Sequence, residues 1–178
     1  MSSASLKPWR QVDYRPYVRF VVMRASLERA IPRSSAEVTV ASASDEMAAV
    51  LDVDQSSFSD EWQYDEDCLL DALSATAIND LLVCRDNGGI AGYGVMGLAG
   101  PQGFLQRIAV KPAYRGSGIG TSLVRTGMQW ARNRGARMVV LNTRMDNDPA
   151  SRLYKREGFS VDADSLVVLR HDRNPGGL

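Results

Sequence analysis

The sequence predicts one domain of the α/β class, built on a mixed sheet. The first observation is the segment 80–98, in which two apolar runs flank Asn87-Gly88, a pair that tolerates the positive φ angles of a tight antiparallel hairpin. The second is the strand, helix, strand order of 104–110, 118–134 and 137–143, which makes the two strands parallel. A length of 178 residues suits one such domain with its own core.

The segment 1–36 differs from the rest in charge and is predicted to be a basic, helical extension of the domain. Seven basic residues stand there against two acidic ones, a net charge of +5. Apolar residues recur at helical spacing over 12–31, with Pro16 in the first turn and Pro32 ending the helix. Such a helix binds anionic surfaces, and the same pattern also suits packing on its own domain or on a partner.

Further elements are predicted on both sides of the βαβ unit, within a domain spanning 37–172 and followed by a frayed tail at 173–178. The alternating run "AEVTVAS" predicts a first strand, and Asp45 is a suitable N-cap for the helix after it. The stretch "FSDEWQYDEDCLLDALSA" predicts a loop and a second helix. Three leucines of that helix are expected to face inward: Leu69, Leu70 and Leu73. Asp148 caps a short last helix, and "LVVLRH" closes the sheet.

The composition argues against several functional classes. The 21 basic and 21 acidic residues balance, which argues against a protein that binds nucleic acid through bulk charge. Cys68 and Cys84 form no metal-ligand pattern and are predicted to be reduced thiols, so no metal site is expected. The uninterrupted apolar runs are far shorter than the roughly 20 residues of a membrane span. A cytoplasmic protein without nucleic-acid partners or a transmembrane segment is therefore expected.

The stretch "RGSGIG" at 115–120 lies between a predicted strand and a predicted helix. Glycines there expose backbone N–H groups and the helix dipole adds positive potential, which suits a phosphate group, although such runs also form plain tight turns. A Walker A loop requires a lysine that is absent, and a dinucleotide fingerprint requires a different glycine spacing. Arg115 offers a fork of donors to a diphosphate.

Two motifs resemble the GNAT superfamily of acyl-CoA-dependent N-acetyltransferases. The pyrophosphate loop of that family, Q/R-x-x-G-x-G or -A, is matched in order by Arg115, Gly116, Ser117, Gly118, Ile119 and Gly120. The segment "NDPASRLYKREGF" is similar to the family pattern N-x-x-A-x-x-L-Y-x-x-x-G-F, with Asn147, Ala150, Leu153, Tyr154, Gly158 and Phe159 in register. The resemblance covers roughly residues 37 to 170 and is sharpest from 104 to 159.

The resemblance implies a mostly antiparallel mixed sheet flanked by helices, with acetyl-CoA wedged where the strands 104–110 and 137–143 splay apart. It assigns cofactor binding to Ile108, Ala109, Val110, Arg115, Gly116, Ser117, Gly118, Ile119, Gly120, Thr121, Asn147 and Tyr154. Tyr154 is also the expected general acid, because a phenol with a pKa of about 10 stays protonated at neutral pH and can donate to sulfur. The alternative is an aromatic ring that simply packs at the end of a short helix.

The chain departs from the family at the position of the general base. The motifs are most similar to the branch that acetylates protein N-termini, including ribosomal-protein alanine, where one strand carries "LEVR"; here Asn142 replaces the carboxylate. An amide does not accept a proton usefully, so deprotonation must rely on water, on an acid such as Asp60 or Glu61, or on an amine of low pKa. Asp60, Glu61 and Asn142 form the expected substrate rim, although the acidic run also suits a solvated helix start.

These observations predict an N-acetyltransferase that moves an acetyl group from acetyl-CoA to a primary amine of a small molecule or a protein. The alternative is a non-catalytic acyl-CoA-binding module that uses its basic N-terminal segment to contact a partner or a membrane. A homodimer is left open in either case.

Overall fold

The computed structural model describes residues 7–171, and the predicted tail at 173–178 lies outside the described residues. Within that range the backbone forms one seven-stranded sheet, in the order β2-β3-β4-β5-β6-β1-β7. The strands are β1 (Tyr14–Ser26), β2 (Val38–Ala41), β3 (Ile78–Asp86), β4 (Gly89–Ala99), β5 (Gln102–Val110), β6 (Met138–Arg144) and β7 (Ser160–His171). The helices are α1 (Lys7–Arg10), α2 (Ala43–Ser57), α3 (Glu66–Ser74), α4 (Ile119–Asn133) and α5 (Asp148–Arg156), with 3-10 turns at Asp60–Trp62 and Pro112–Tyr114.

The predicted mixed sheet is confirmed. Asn87 and Gly88 have φ angles of 49° and 82°, the left-handed values that a two-residue hairpin turn requires, and they join β3 to β4. The strands β5 and β6 pair in parallel on either side of α4, as the strand, helix, strand order predicts. The remaining strand pairs of the described range are antiparallel.

Helices cover both faces of the sheet, and the sheet separates the hydrophobic core into two clusters. On one face α4 contributes Leu123, Met128 and Trp130 to a buried cluster. On the other face α2 and α3 pack their apolar residues against β3 and β4. Leu69 and Leu73 face inward as predicted, but Leu70 is 44% exposed, so that prediction is wrong. A nine-residue helix on a sheet buries one stripe, and Leu70 lies beside that stripe.

The helix starts differ slightly from the prediction. Asn147, not Asp148, caps α5, because its side-chain oxygen accepts a hydrogen bond from the backbone N–H of Ala150 at 3.3 Å. The N-cap of α2 is Ser42, three residues before the predicted cap Asp45. Both helices still begin within three residues of the predicted start.

The predicted helix over 12–31 is wrong. Residues 14–26 form β1, which lies between β6 and β7 and pairs with both in antiparallel fashion. This strand has two register irregularities, one between Pro16 and Val18 and one between Val21 and Met23. Each bulge shifts the alternation of the side chains, so the strand pattern is broken into pieces that resemble helical spacing. Residues 14–26 of the basic segment therefore belong to the same sheet as the rest of the domain.

Candidate active site

A cleft opens where β5 and β6 separate. Their pairing ends at Phe104 and Val140, and beyond that point a cavity of about 1200 Å³ lies between the two strands and reaches α4 and α5. A bulge on β5 contributes to this separation, because Gln106 is the extra residue between two paired positions opposite β4. The predicted splaying of these strands is present in the structure.

The glycine-rich turn forms one end of the cleft. Gly118 is the N-cap of α4 with φ of 91°, and Gly116 has φ of 83°, both in the left-handed region that favours glycine. The first turn of α4 contains no acidic residue, and the leading N–H groups of a helix have no carbonyl partner within it. A Cβ atom on Gly118 would lie 3.2 Å from the Oγ of Ser35. This narrow, positively polarised cradle fits a diphosphate.

Most of the predicted cofactor residues line this cleft. Those that do are Ile108, Ala109, Val110, Arg115, Gly116, Gly118, Gly120, Thr121, Asn147 and Tyr154. Two predicted residues do not line it. The hydroxyl of Ser117 donates to the carbonyl of Tyr114 at 2.6 Å, and the side chain of Ile119 is buried in the core. Ile119 is accommodated because Gly92 on β4 leaves space for it: a Cβ there would lie 2.9 Å from its Cγ2.

Arg115 does not present a free fork of donors. Its Nη2 donates to the carbonyl of Ser57 at 3.1 Å, and its Nε donates to the carbonyl of Val110 at 3.4 Å. The same Val110 carbonyl accepts a hydrogen bond from the hydroxyl of Ser57 at 3.1 Å. Arg115 therefore joins the end of α2 to the end of β5 and fixes the loop that leads into the glycine turn.

Tyr154 lies almost fully buried at the floor of the cleft. Its side chain is 5% exposed, and its ring packs at a tilt against Phe159 with 5.8 Å between centroids. Burial disfavours the phenolate and raises the pKa of Tyr154 to about 12. The phenol is thus protonated across the neutral range. Asn147 uses its side-chain oxygen to cap α5, so it orients the helix that carries Tyr154.

Of the three residues predicted to form the substrate rim, one lines the cleft and two do not. Asn142 lies exposed on β6 and lines the cleft, whereas Asp60 and Glu61 do not line it. Glu61 accepts hydrogen bonds from the hydroxyl of Tyr17 at 2.5 Å, from Nε1 of Trp62 at 2.9 Å and from Nη2 of Arg170 at 3.1 Å. The Tyr17 hydrogen bond is the main cause that lowers the pKa of Glu61. A carboxylate of lowered pKa is a poor proton acceptor, which argues against Glu61 as the base.

Sequence reasoning missed that arginines dominate the cleft. Besides Arg115, the arginines that line it are Arg107, Arg125, Arg144, Arg152 and Arg156. Two carboxylates also line it, and each is engaged by two arginine nitrogens: Asp146 by Arg144, and Glu157 by Arg125. The four-residue spacing of Arg152 and Arg156 on α5 was the signal available in the sequence. The surplus of positive charge suits a polyanionic ligand.

A splayed mixed sheet, a glycine-rich helix start at one end of the cleft and a buried tyrosine on its floor together define an acyl-CoA-dependent acetyltransferase. The comparison with known sequences agrees, since residues 45–159 match the Acetyltransferase (GNAT) family. The chain belongs to this family, and acetyl-CoA is its acetyl donor.

Individual relatives point the same way. A putative ribosomal protein bS18-alanine N-acetyltransferase of Bacillus subtilis (strain 168) is 31% identical over 110 residues, which cover 62% of this chain and 72% of that protein. A mycothiol acetyltransferase of Corynebacterium glutamicum (strain R) is 41% identical over 93 residues, which cover 51% of this chain and 31% of that protein. The chain therefore spans less than a third of the second relative.

Solved structures show the same fold. The crystal structure of a GCN5-related N-acetyltransferase from Sphaerobacter thermophilus superposes with a TM-score of 0.72 at 23% identity. The superposition covers 94% of this chain and 56% of that chain.

No helix within residues 7–171 is both long and apolar enough to cross a membrane.

Proposed function

We propose that this chain transfers the acetyl group of acetyl-CoA to a primary amine of low pKa, with Tyr154 as the general acid. The observation that carries the proposal is that Tyr154 and the glycine-rich turn line one continuous cleft. A group held at the turn and a group protonated by Tyr154 can thus belong to the same extended molecule. The acceptor amine belongs to a protein or a small molecule.

The chain's own residues supply the binding groups. Acetyl-CoA provides an acetyl thioester, and its diphosphate fits the backbone N–H groups at the start of α4. The backbone of Ile108 to Val110 follows the splayed part of β5, where an extended ligand arm can pair with it as a strand would. Arg152 and Arg156 line the same cleft and add positive charge at this end of it. Leu153 lies between them on α5, and its Cδ1 is 3.2 Å from the point that a Cβ atom on Gly120 would occupy, so this part of α5 is close to the glycine turn.

Tyr154 holds the proton that the departing thiolate needs. A thiolate that is not protonated attacks the new amide again, so a positioned acid favours the forward reaction. The buried phenol keeps its proton at every pH at which the protein is expected to work, because its pKa is about 12. Its position on the cleft floor gives it access to a ligand without exposing it to bulk water.

The acceptor must reach the cleft partly neutral. Both carboxylates that line the cleft are paired with arginines, and the side chain of Asn142 is an amide, which does not accept a proton usefully. At pH 7.5 about a third of α-amino groups are neutral, against about one lysine side chain in a thousand. The apolar wall formed by Phe20, Phe58 and Trp62 lowers the pKa of an amine further by desolvation. A peptide α-amino group is therefore the first acceptor to test, and the name of the Bacillus subtilis relative assigns that protein an alanine substrate.

The test incubates the protein with acetyl-CoA and a panel of peptides and small amines and follows the free thiol. We expect release that requires the amine and a kcat that falls about 100-fold or more in Tyr154→Phe, while the affinity for CoA stays unchanged. Phe159→Leu serves as the control, since Phe159 packs against Tyr154 but carries no proton. Equal rates for Tyr154→Phe and the wild type would contradict the role of Tyr154.

A non-catalytic acyl-CoA-binding module is the second candidate. The observation in its favour is the same set of paired carboxylates, which leaves the described cleft residues without a free proton acceptor. This alternative predicts tight CoA binding by calorimetry and no amine-dependent thiol release with any acceptor at any pH up to 10.

A further inference from the structure

A fully buried carboxylate on α2 is not used by the proposed reaction. Asp54 has no exposed surface, and its Oδ2 accepts hydrogen bonds from the hydroxyl of Tyr93 at 2.5 Å and from Nε of Arg107 at 2.8 Å. Its Oδ1 accepts from Nη2 of Arg107 at 2.9 Å and from the backbone N–H of Tyr64 at 2.7 Å. A buried charge is costly unless it is paired and hydrogen-bonded, and here both oxygens are fully engaged.

Arg107 links this carboxylate to the wall of the cleft. Its guanidinium lies between two aromatic rings, 3.6 Å from the centroid of Phe58 and 3.9 Å from that of Tyr64. Its Nη2 also donates to the carbonyl of Trp62 at 2.7 Å. One planar group thus contacts three residues of the segment 58–64 at once, and its bidentate pairing with Asp54 fixes its plane.

The segment 58–64 contributes one wall of the cleft. Phe58 and Trp62 line the cleft, and the Trp62 ring packs edge-on against Phe20 of β1 at 5.8 Å. Tyr64 belongs to the same segment but does not line the cleft. Its ring contacts the guanidinium of Arg107, and its backbone N–H donates to Asp54.

We propose that Asp54 and Arg107 are a positioning pair that holds the segment 58–64 in place as the acceptor-binding wall. The pair sets the affinity for the acceptor amine and leaves the binding of acetyl-CoA unaffected, because none of the hydrogen bonds of these two side chains reaches the glycine turn or α5. The kinetic part of this proposal rests on the proposed acetyl transfer.

The test compares Tyr64→Leu with Tyr64→Phe. The leucine variant removes one of the two aromatic rings that stack on the guanidinium of Arg107, and Tyr64 itself does not line the cleft. The phenylalanine variant keeps that ring. We expect Tyr64→Leu to raise the KM for an alanyl peptide about tenfold and to leave the KM for acetyl-CoA within twofold. Tyr64→Phe is expected to match the wild type in both. Arg107→Lys, which keeps the charge but loses the planar fork, is expected to behave like Tyr64→Leu.

Tyr93→Phe separates positioning from stability. It removes one hydrogen bond from Asp54 but leaves in place the hydrogen bonds that Arg107 and the backbone N–H of Tyr64 donate to that carboxylate, so it is expected to lower the melting temperature and leave both KM values within twofold. An acceptor KM that is unchanged in Tyr64→Leu, or that rises together with the acetyl-CoA KM, overturns the proposal.

Hydrogen exchange gives a readout that needs no activity. We expect the backbone amides of 58–64 to exchange at least tenfold faster in Tyr64→Leu than in Tyr64→Phe, with the amides of α4 unchanged. If the wild type releases no thiol with any amine, the proposed function fails on its own. The positioning of the segment is then decided by exchange, and equal protection in the two variants overturns it.

Discussion

At the scale of single residues, Gly118 tests the diphosphate cradle most directly. Its φ of 91° strains any residue with a Cβ, and the space above it is closed by Ser35. We expect Gly118→Val to weaken CoA binding by at least about tenfold in calorimetry, because the side chain displaces the backbone N–H groups from the ligand.

Gly135→Val is the matched control for that substitution. Gly135 has φ of 87° beyond the other end of α4, and its Cβ position has open space around it. Both variants are expected to lose a similar free energy of unfolding, about 1 to 2 kcal/mol from the backbone strain. CoA binding that suffers equally in the two variants would show that general destabilisation, and not the cradle, is responsible.

Tyr154 gives a second prediction at this scale, for stability at high pH. The fold raises the pKa of this phenol from about 10 to about 12, so its contribution is fully present below pH 10 and is lost as the pH rises towards 12. Between pH 9 and pH 11 the wild type is expected to lose about 1 kcal/mol more than Tyr154→Phe. Urea unfolding at the two pH values measures the difference. Equal losses would contradict the raised pKa.

At the scale of secondary-structure elements, the sequence predicted α4 and the glycine turn well and β1 badly. The helix α4 has turn glycines at both ends and one apolar stripe, and these local signals agree with its packing. The strand β1 buries Met23 and Ala25 at alternate positions, and Leu27 just beyond its end continues the pattern, but the bulge after Val21 hides that period. Its place between β6 and β7 depends on contacts more than 100 residues away, which local patterns do not encode.

The candidate site also contains one part that local sequence patterns predict and one part that depends on contacts between distant segments. The residues predicted to bind the cofactor come from contiguous motifs, and most of them line the cleft. The part of the cleft proposed to bind the acceptor is assembled from β1, the segment 58–64, β5 and β6, so the pairing of Asp54 with Arg107 has no signature in the sequence. Residues brought together from distant segments are recognised only after the chain is folded.

The placement of β1 predicts a contrast between two of its side chains. Arg19 is exposed and Met23 is fully buried, although a four-residue spacing would place both on one face of a helix or of a regular strand. The register irregularity between Val21 and Met23 accounts for the difference. We expect Met23→Ala to cost about 2 to 5 kcal/mol of unfolding free energy, as for other large buried side chains. Arg19→Ala is expected to change it by no more than about 0.5 kcal/mol. Denaturant unfolding checks both, and equal effects would contradict the different burial of the two side chains in this irregular strand.

At the scale of the whole molecule, the pairing of charges determines how the reaction responds to pH. The formal charges of the chain cancel, and the cleft carboxylates, the buried Asp54 and Glu61 are each held by arginine. Arginine stays charged at all working pH values. Under the proposed transfer, the groups whose titration bears on the reaction are the acceptor amine itself and, far above neutrality, Tyr154.

The pH profile of kcat/KM is therefore expected to follow the acceptor and not the protein. With a peptide α-amino acceptor the rate should rise about tenfold per pH unit and level off near pH 8, whereas with a lysine side chain the rise should continue towards pH 10. No fall is expected below about pH 11, because the phenol of Tyr154 keeps its proton to about pH 12. A base belonging to the protein would instead give both acceptors the same inflection. An inflection near pH 6 or 7 shared by the two acceptors would contradict direct attack by an amine that is already neutral.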